Sequence, residues 1–433
     1  MRRPYRIHLV SEHASPLATM GGEDAGGQNV HVAALATALG AQGHHVTVLT
    51  RRDDRHLPDR VELAPGVVVE HVPAGPAAPI PKDELFAHMP QFAAGLAQRW
   101  SDDPPDVVHA HFWMSGWASV EAAGAVAGGA GAGSAGVAGA AAGGGVPVVQ
   151  TFHALGAVKA RHQGAADASP TERRAAEDRL VRAVDHIVAT CADEAGELAA
   201  LGADPDRVTV VPCGVDPAVF RPRGERLRLG APAGGSPCRY RVVVVSRLVP
   251  RKGIDDVIRA LPQLPEVELV VAGGPADRRA LAADPEARRL RSIAAACGVE
   301  RRVRLLGGLP RGMVPALLRS ADVVVSAPWY EPFGIVPLEA MACGVPVVAT
   351  AVGGMLDTVR PGRTGLLVGP HDPDGIAAAV GRLLANPSLR HRMGEEAVAV
   401  VRELYTWRQV ARSTLDVYEQ LVRSSDDWWA VPA

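Results

Sequence analysis

A chain of 433 residues exceeds what one hydrophobic core ordinarily supports, so two or three domains are expected. Its 45 basic and 47 acidic residues nearly cancel, which argues against a general attraction to nucleic acid or to an anionic membrane surface. Five cysteines, at 191, 213, 238, 297 and 343, form no CxxC pair, so a disulfide framework or a structural zinc site is not expected and a reducing, cytoplasmic setting is.

The N-terminal residues lead straight into a strand-like run without the apolar core of a signal peptide. No stretch reaches the roughly twenty consecutive apolar residues of a membrane-spanning helix. That leaves peripheral membrane contact open, and the composition leaves the oligomeric state open too, a homodimer among the options.

Tyr5–Val10 is predicted as a strand, followed by a long loop over 11–27, a helix over 28–41 and a second strand over 46–50. This β–loop–α–β start implies a parallel, doubly wound sheet. Gly21, Gly22, Gly26 and Gly27 make no dinucleotide fingerprint, because that motif needs a tight G-x-G-x-x-G turn directly after the strand. Gly26 and Gly27 do stand just before the helix, where missing Cβ atoms would let amides approach a phosphate; a merely flexible loop is the other reading.

Asp106–Ala110 is expected to be a strand leading into His109-Ala-His111-Phe-Trp-Met. Alternation points His109 and His111 to one face, but the sequence offers no third metal ligand nearby. Residues 122–145 are almost all Ala and Gly and read as a disordered surface insertion. A strand over 146–151 ends in Phe152-His153, placing His153 where open α/β sheets bind ligands. Lys159, Arg161, His162, Arg173 and Arg174 follow on a polar, helical stretch, either gripping an anionic acceptor or forming a solvated face.

Strands over 187–190 and 208–211 complete the first half, and a Pro/Gly-rich connector begins near Cys213. The pattern then restarts: strands over 241–245, 268–272, 303–306, 323–326, 345–349 and 365–368 alternate with helices over about 281–297, 313–319, 338–343 and 374–385. The expected fold is therefore α/β, with two doubly wound sheets facing each other across a cleft. The expected division is 1–213, 214–405, and a final segment 406–433 whose helix returns to the first domain.

Two loops of the second half carry chemistry. Arg247 and Lys252 lie between the first strand and helix of that half, and Glu331-Pro-Phe-Gly-Ile-Val-Pro-Leu-Glu339 forms a later corner. Two cations and the amides of a helix N-terminus suit a diphosphate, whereas carboxylates suit sugar and ribose hydroxyls. The competing reading makes Glu339 a first-turn complement to the helix dipole and Glu331 a solvated acid. Asp204-Pro-Asp206 and Asp372-Pro-Asp374 are Asp-x-Asp strings in proline turns, where a metal role is not expected.

Taken together, Ser-Arg247-Leu-x3-Lys252-Gly, Glu331-x7-Glu339, Ala-Cys-Gly-Val-Pro-Val-Val, Gly353-Gly354, Asp24-Ala-Gly26-Gly27-Gln-Asn-Val and Phe-His153-Ala-Leu resemble retaining glycosyltransferase family 4. The resemblance implies a two-Rossmann GT-B fold and transfer of a hexosyl group from a nucleotide-sugar, UDP-glucose or UDP-N-acetylglucosamine being expected, to a small hydroxylated acceptor with or without a phosphate. It further implies that Arg247 and Lys252 neutralise the departing diphosphate and that Glu339 binds ribose hydroxyls. Glu331 and the backbone of Phe333, Gly334 and Ile335 would hold the donor sugar, Gly26 and Gly27 would approach its phosphate, and His153 would contact it near the reacting carbon. No metal or other cofactor is implied.

The nearest branches are the inositol-phosphate N-acetylglucosaminyltransferases and the sucrose-phosphate synthases. For an acceptor phosphate, Lys82 and Arg173 match the expected cations, while Phe112 and Ala154 stand where Tyr and Thr are expected. A nucleotide-sugar epimerase and a non-catalytic nucleotide-sugar-binding protein are the competing classes.

Overall fold

A computed structural model describes residues 3–17, 26–129, 145–164, 167, 169–230 and 238–429. The Asp24-Ala25 part of the glycine loop and residues 130–144 of the Ala/Gly tract lie outside that set. The described residues divide into two compact units, one made of those up to 212 together with those from 407 onward, the other of those between 213 and 406.

Among the described residues, the first unit holds eight strands: β1 (Arg6–Val10), β2 (His45–Arg51), β3 (Arg60–Ala64), β4 (Val67–Val72), β5 (Val107–His111), β6 (Val148–Thr151), β7 (His186–Ala189) and β8 (Val208–Val210). Their order is β3-β4-β2-β1-β5-β6-β7-β8, parallel throughout except for the antiparallel β3–β4 pair. The second unit holds β9 (Tyr240–Val245), β10 (Val267–Ala272), β11 (Val303–Gly307), β12 (Val323–Ser326), β13 (Val347–Thr350) and β14 (Gly365–Val368), ordered β11-β10-β9-β12-β13-β14 and all parallel. Central strands such as Val-Val-Val-Val in β9 are apolar on both faces because helices cover both sides of a parallel sheet. Each sheet reverses its winding direction once, between β1 and β5 in the first and between β9 and β12 in the second. Ligands of doubly wound sheets bind outside the carboxyl ends of the strands at such a reversal.

Several elements depart from the sequence expectation. The helix Met89–Asp102 and the β3–β4 pair were not anticipated, nor was the helix Pro387–Leu404. The helix Trp113–Gly129 runs eight residues into the Ala/Gly tract, with Ala122 and Ala123 buried. The expectation of disorder is therefore wrong for 122–129: alanine is the best helix former and continues a helix already nucleated by Trp113–Val120. The helix after Glu331 begins at Ile335, so Glu339 sits in its second turn and not its first. The two Asp-x-Asp strings are turn and helix caps: Asp204 accepts from the Asp206 amide at 3.0 Å and Asp372 from the Gly375 amide at 2.8 Å.

The C-terminal helix Trp407–Trp429 belongs to the first unit and packs on the helix Gly27–Gly40. Val410, Ala411, Leu415, Val417 and Tyr418 enter the same core as Ile7, Leu9, Val32 and Leu35. Among the described residues, no helix is long and apolar enough to cross a membrane.

Candidate functional site

The sheet reversal in the second unit carries the loop after β9, with Arg247 and Lys252, and the loop after β12, with Glu331. Backbone contacts hold these loops together. The Trp329 amide donates to the Arg251 carbonyl at 2.9 Å. Gly253 has φ +61°, and a Cβ there would meet the Ala327 carbonyl oxygen at 1.9 Å, so only glycine lets the loops approach this closely.

The Lys252 ammonium donates to the Glu331 carboxylate, both side chains being 15% exposed. Burial pushes the Lys252 pKa down, with Glu331 opposing it. Burial works the other way on Glu331, but Lys252, Arg251 and Arg247 outweigh it and hold that carboxyl below its ordinary value. Lys252, Arg251 and Arg247 thus all act on one carboxylate at the strand ends. A second glycine fixes Glu331 from behind: Gly353 has φ +47°, its Cβ would lie 2.2 Å from the Glu331 carbonyl oxygen, and the Gly354 amide donates to that oxygen at 3.0 Å.

Gly334, in the left-handed region, precedes the helix Ile335–Ala342, with Phe333 and Ile335 partly exposed beside it. Glu339 is fully buried and accepts from the Arg311 guanidinium through Oε1. Its Oε2 has no hydrogen-bond partner among the described residues. Burial raises the Glu339 pKa and Arg311 opposes that shift. Arg311, which also stacks 4.7 Å from the centre of the Phe220 ring, was not identified from the sequence. The first-turn dipole reading of Glu339 fails, since its charge is answered by a side chain from another element.

In the first unit, Gly26 caps the helix Gly27–Gly40 in an extended conformation, and its amide donates to Asn29 Oδ1 at 3.0 Å. Among the described residues, a Cβ on Gly26 would meet nothing within 4 Å, so their packing does not demand glycine there. His153 follows β6 with φ +62°, a conformation side-chain-bearing residues rarely adopt. Its Nε2 lies 2.9 Å from Nδ1 of His111, and His31 packs against both rings. His109 stacks on His111 and bonds Tyr418 at 2.7 Å and Thr151 at 2.8 Å. Among the described residues, no group of three or more potential ligands is arranged to hold a metal ion.

Lys82, Phe112, Ala154 and Arg173 are brought together. Phe112, with φ +84°, lies under Lys82 Nζ at 5.2 Å and Arg173 Cζ at 5.1 Å from its ring centre. Arg173 is buried, and all three of its nitrogens bond within the protein: Nε to Glu177 at 2.7 Å, one terminal nitrogen to Ser169 at 3.3 Å, the other to the Ala154 carbonyl at 2.5 Å. Glu177 also accepts from the Gly156 amide at 2.8 Å, so this pair ties the loop after His153 to the helix Glu172–Ala183. Lys159 pairs with Asp167 at 2.8 Å and Arg161 with Glu197 at 2.7 Å, which explains two of the surface cations as local ion pairs.

Comparison with known proteins accounts for both halves. The sequence model described as Glycosyl transferases group 1 matches residues 237–399, and that of Glycosyltransferase Family 4 matches 25–219. D-inositol 3-phosphate glycosyltransferase of Acidothermus cellulolyticus is 39% identical over 96% of this chain and 90% of its own. The protein of the same name from Streptomyces scabiei is 37% identical over 96% and 91%. Among solved structures, sucrose-phosphate synthase from Thermosynechococcus elongatus superposes with a TM-score of 0.81 at 29% identity, covering 97% of this chain and all of that one. Anabaena HepE, solved with UDP and glucose, shares the fold at a TM-score of 0.70 and 19% identity, over 96% and 99%. The relatives are glycosyltransferases by name, which favours transfer over epimerisation or passive binding. The chain belongs to glycosyltransferase family 4 and is a glycosyltransferase of the GT-B fold.

Proposed function

We propose that the enzyme moves a hexosyl group, with retention of anomeric configuration, from a UDP-sugar to a small polyol bearing a phosphate. The observation that carries this reading is the Lys252–Glu331 pair at the β9–β12 reversal, with Arg247 and Arg251 beside it. Breaking the sugar–phosphate bond leaves negative charge on the diphosphate, and fixed cations in a partly buried site stabilise that charge more than water does.

In this reading Arg247 and Lys252 take the diphosphate, Glu331 with the Phe333, Gly334 and Ile335 backbone holds the sugar, and Oε2 of Glu339 accepts from a ribose hydroxyl. Gly26 and Gly27 approach the phosphate, and His153, oriented by His111, contacts the sugar beside the reacting carbon. The cations supply the charge neutralisation for which other transferases use a divalent metal, so turnover in EDTA should be normal. The names of the curated relatives support a phosphorylated acceptor, with Lys82 the cation to meet it, and the charge balance and cysteine use support a cytoplasmic setting.

A second reading, an unphosphorylated polyol or aminocyclitol, is favoured by the commitment of Arg173 to Glu177 and by Phe112 and Ala154, which bring no hydroxyl donors. The test is a panel of UDP-, GDP- and ADP-sugars against phosphorylated and unphosphorylated polyols, following nucleoside diphosphate release. Release only with a UDP-sugar and an acceptor supports the proposal, and the preferred acceptor separates the two readings. Failure to bind or cleave any donor at millimolar concentration overturns both.

A further inference from the structure

His153, proposed above to contact the donor sugar, belongs to a buried group with His31, His109 and His111, and one helix closes that group at both ends. The helix Trp407–Trp429 brings Trp407 to one end and Tyr418 to the other. Positions 407 and 418 are about three helical turns apart, so the two side chains share a face. At the first end, the Trp407 ring stands at 86° to His31 with centres 5.3 Å apart, and His31 stands at 78° to His153 with centres 5.1 Å apart. At the second, the Tyr418 hydroxyl bonds His109 Nδ1 at 2.7 Å, and His109 stacks on His111 with ring centres 4.3 Å apart. His111 Nδ1 then meets His153 Nε2 at 2.9 Å.

The partners assign the protons along this chain. The Thr151 hydroxyl has one proton and gives it to the Val188 carbonyl at 3.0 Å. Towards His109, 2.8 Å away, it can then only accept, so Nε2 of His109 carries the ring proton and Nδ1 is the acceptor. Tyr418 is therefore the donor to Nδ1, and burial, which raises its pKa well above the ordinary value, keeps the phenol protonated for that task. A lone pair that already holds the phenol proton is closed to a second one, which keeps charge away from the buried His111 and His153 rings. Tyr418 thus fixes both the tautomer and the plane of His109, and His111 stacks on that plane. His153 itself sits at φ +62°, and backbone strain of this kind persists only where the surroundings over-determine it. The C-terminal helix supplies two of those constraints.

We infer that Tyr418 and Trp407 are positioning residues for sugar transfer: Tyr418 through His109 and His111, and Trp407 through His31, hold the His153 ring in the orientation that meets the donor. The inference rests on the proposed role of His153 and extends it to the last helix of the chain. Its test uses the full-length enzyme with the best donor and acceptor from the panel above. Y418F removes one oxygen and should lower kcat about tenfold, the worth of one hydrogen bond, with the KM of donor and acceptor at wild-type values. H153N keeps a residue that tolerates positive φ and should itself lower kcat. In the H153N background Y418F should have no further effect on kcat, because residues that act through one another are not additive. A tyrosine that only stabilises the fold would lower the melting temperature in both backgrounds and leave kcat alone. Should Y418F not fold, W407L makes the same comparison from the other end of the group. An unchanged kcat, or an equal loss in the wild-type and H153N backgrounds, overturns the inference while leaving the transfer reaction standing. Normal turnover in H153N removes the role of His153 and this inference with it, and a wild-type enzyme that cleaves no donor removes the proposed function as well.

Discussion

Lys252 and Glu331 neutralise each other across the strand reversal of the second unit, each with 15% of its side chain exposed. Removing one partner leaves a nearly buried charge unanswered, which costs roughly 3–5 kcal/mol of stability where such pairs are broken. K252M should therefore lower both the melting temperature and turnover, the latter by about 10²–10³-fold if the ammonium stabilises the leaving diphosphate. The double variant K252M/E331Q removes both charges and should regain much of the stability while staying inactive. Thermal denaturation and nucleoside diphosphate release measure the two effects separately. Recovery of turnover in the double variant would show that the pair is structural only.

Glu339 has one oxygen taken by Arg311 and the other without a hydrogen-bond partner among the described residues. E339Q keeps the shape and should weaken UDP binding about tenfold, the worth of one charge-assisted hydrogen bond to a hydroxyl. R311M strands the carboxylate and should act mainly on stability. Calorimetric titration with UDP and with free uracil distinguishes them, since only the ribose contact should respond to E339Q.

Arg173 and Lys82 flank the same ring, and Arg173 is bound to Glu177, Ser169 and the Ala154 carbonyl. K82M should raise the KM of a phosphorylated acceptor and leave that of its unphosphorylated analogue nearly unchanged. R173K loses the fork that joins Glu177, Ser169 and the Ala154 carbonyl, so it should lower kcat through the His153 loop with either acceptor. A selective effect of R173K on phosphorylated acceptors would instead place its guanidinium on the phosphate.

The first unit should be acid-sensitive. Burial holds His31 at about 4 and His109 at about 3, and pushes His111 and His153 well below their ordinary value. Each is neutral in the folded protein and titrates near 6.5 when unfolded, so the unfolded chain binds more protons as pH falls. Stability is fully present above about pH 6.5 and declines from there towards pH 4, by up to roughly 1.4 kcal/mol per pH unit for each histidine. Denaturant titrations between pH 7.5 and 4.5 read the slope directly. H109Q should flatten it, and an unchanged slope would mean that the cluster already binds protons when folded.

Much of this architecture can be read along the chain because parallel strands covered on both sides become uninterrupted valine runs, as in 242–245 and 323–325. β3 does alternate charged and apolar residues, but a five-residue edge strand gives too short a run to stand out from a loop. The helix Met89–Asp102 did carry a signal, with buried Met89, Phe92, Ala93, Leu96 and Trp100 at helical spacing. The Ala/Gly tract reads as disorder on composition alone, and its first residues are helical because the helix from Trp113 runs into them. Lys252, Glu331 and Glu339 stood out through their loops and spacing. Arg311, Glu177 and Tyr418 did not, because each earns its place by a contact with a residue far along the chain, and a lone Arg, Glu or Tyr carries no mark of that.

Tyr418 hydrogen-bonds His109 across 309 positions of sequence, and its helix fills one face of the first sheet. A ribosome making this protein releases the whole of the second unit before that helix exists. Residues 213–406 are contiguous and can fold as they emerge, whereas the first unit waits with Ile7, Leu9, Val32 and Leu35 uncovered until the last segment arrives. The half that begins the chain is the last to be finished, and a stop codon anywhere after the second unit but before Val410 would leave an intact second unit joined to an unsealed partner for chaperones and proteases to find.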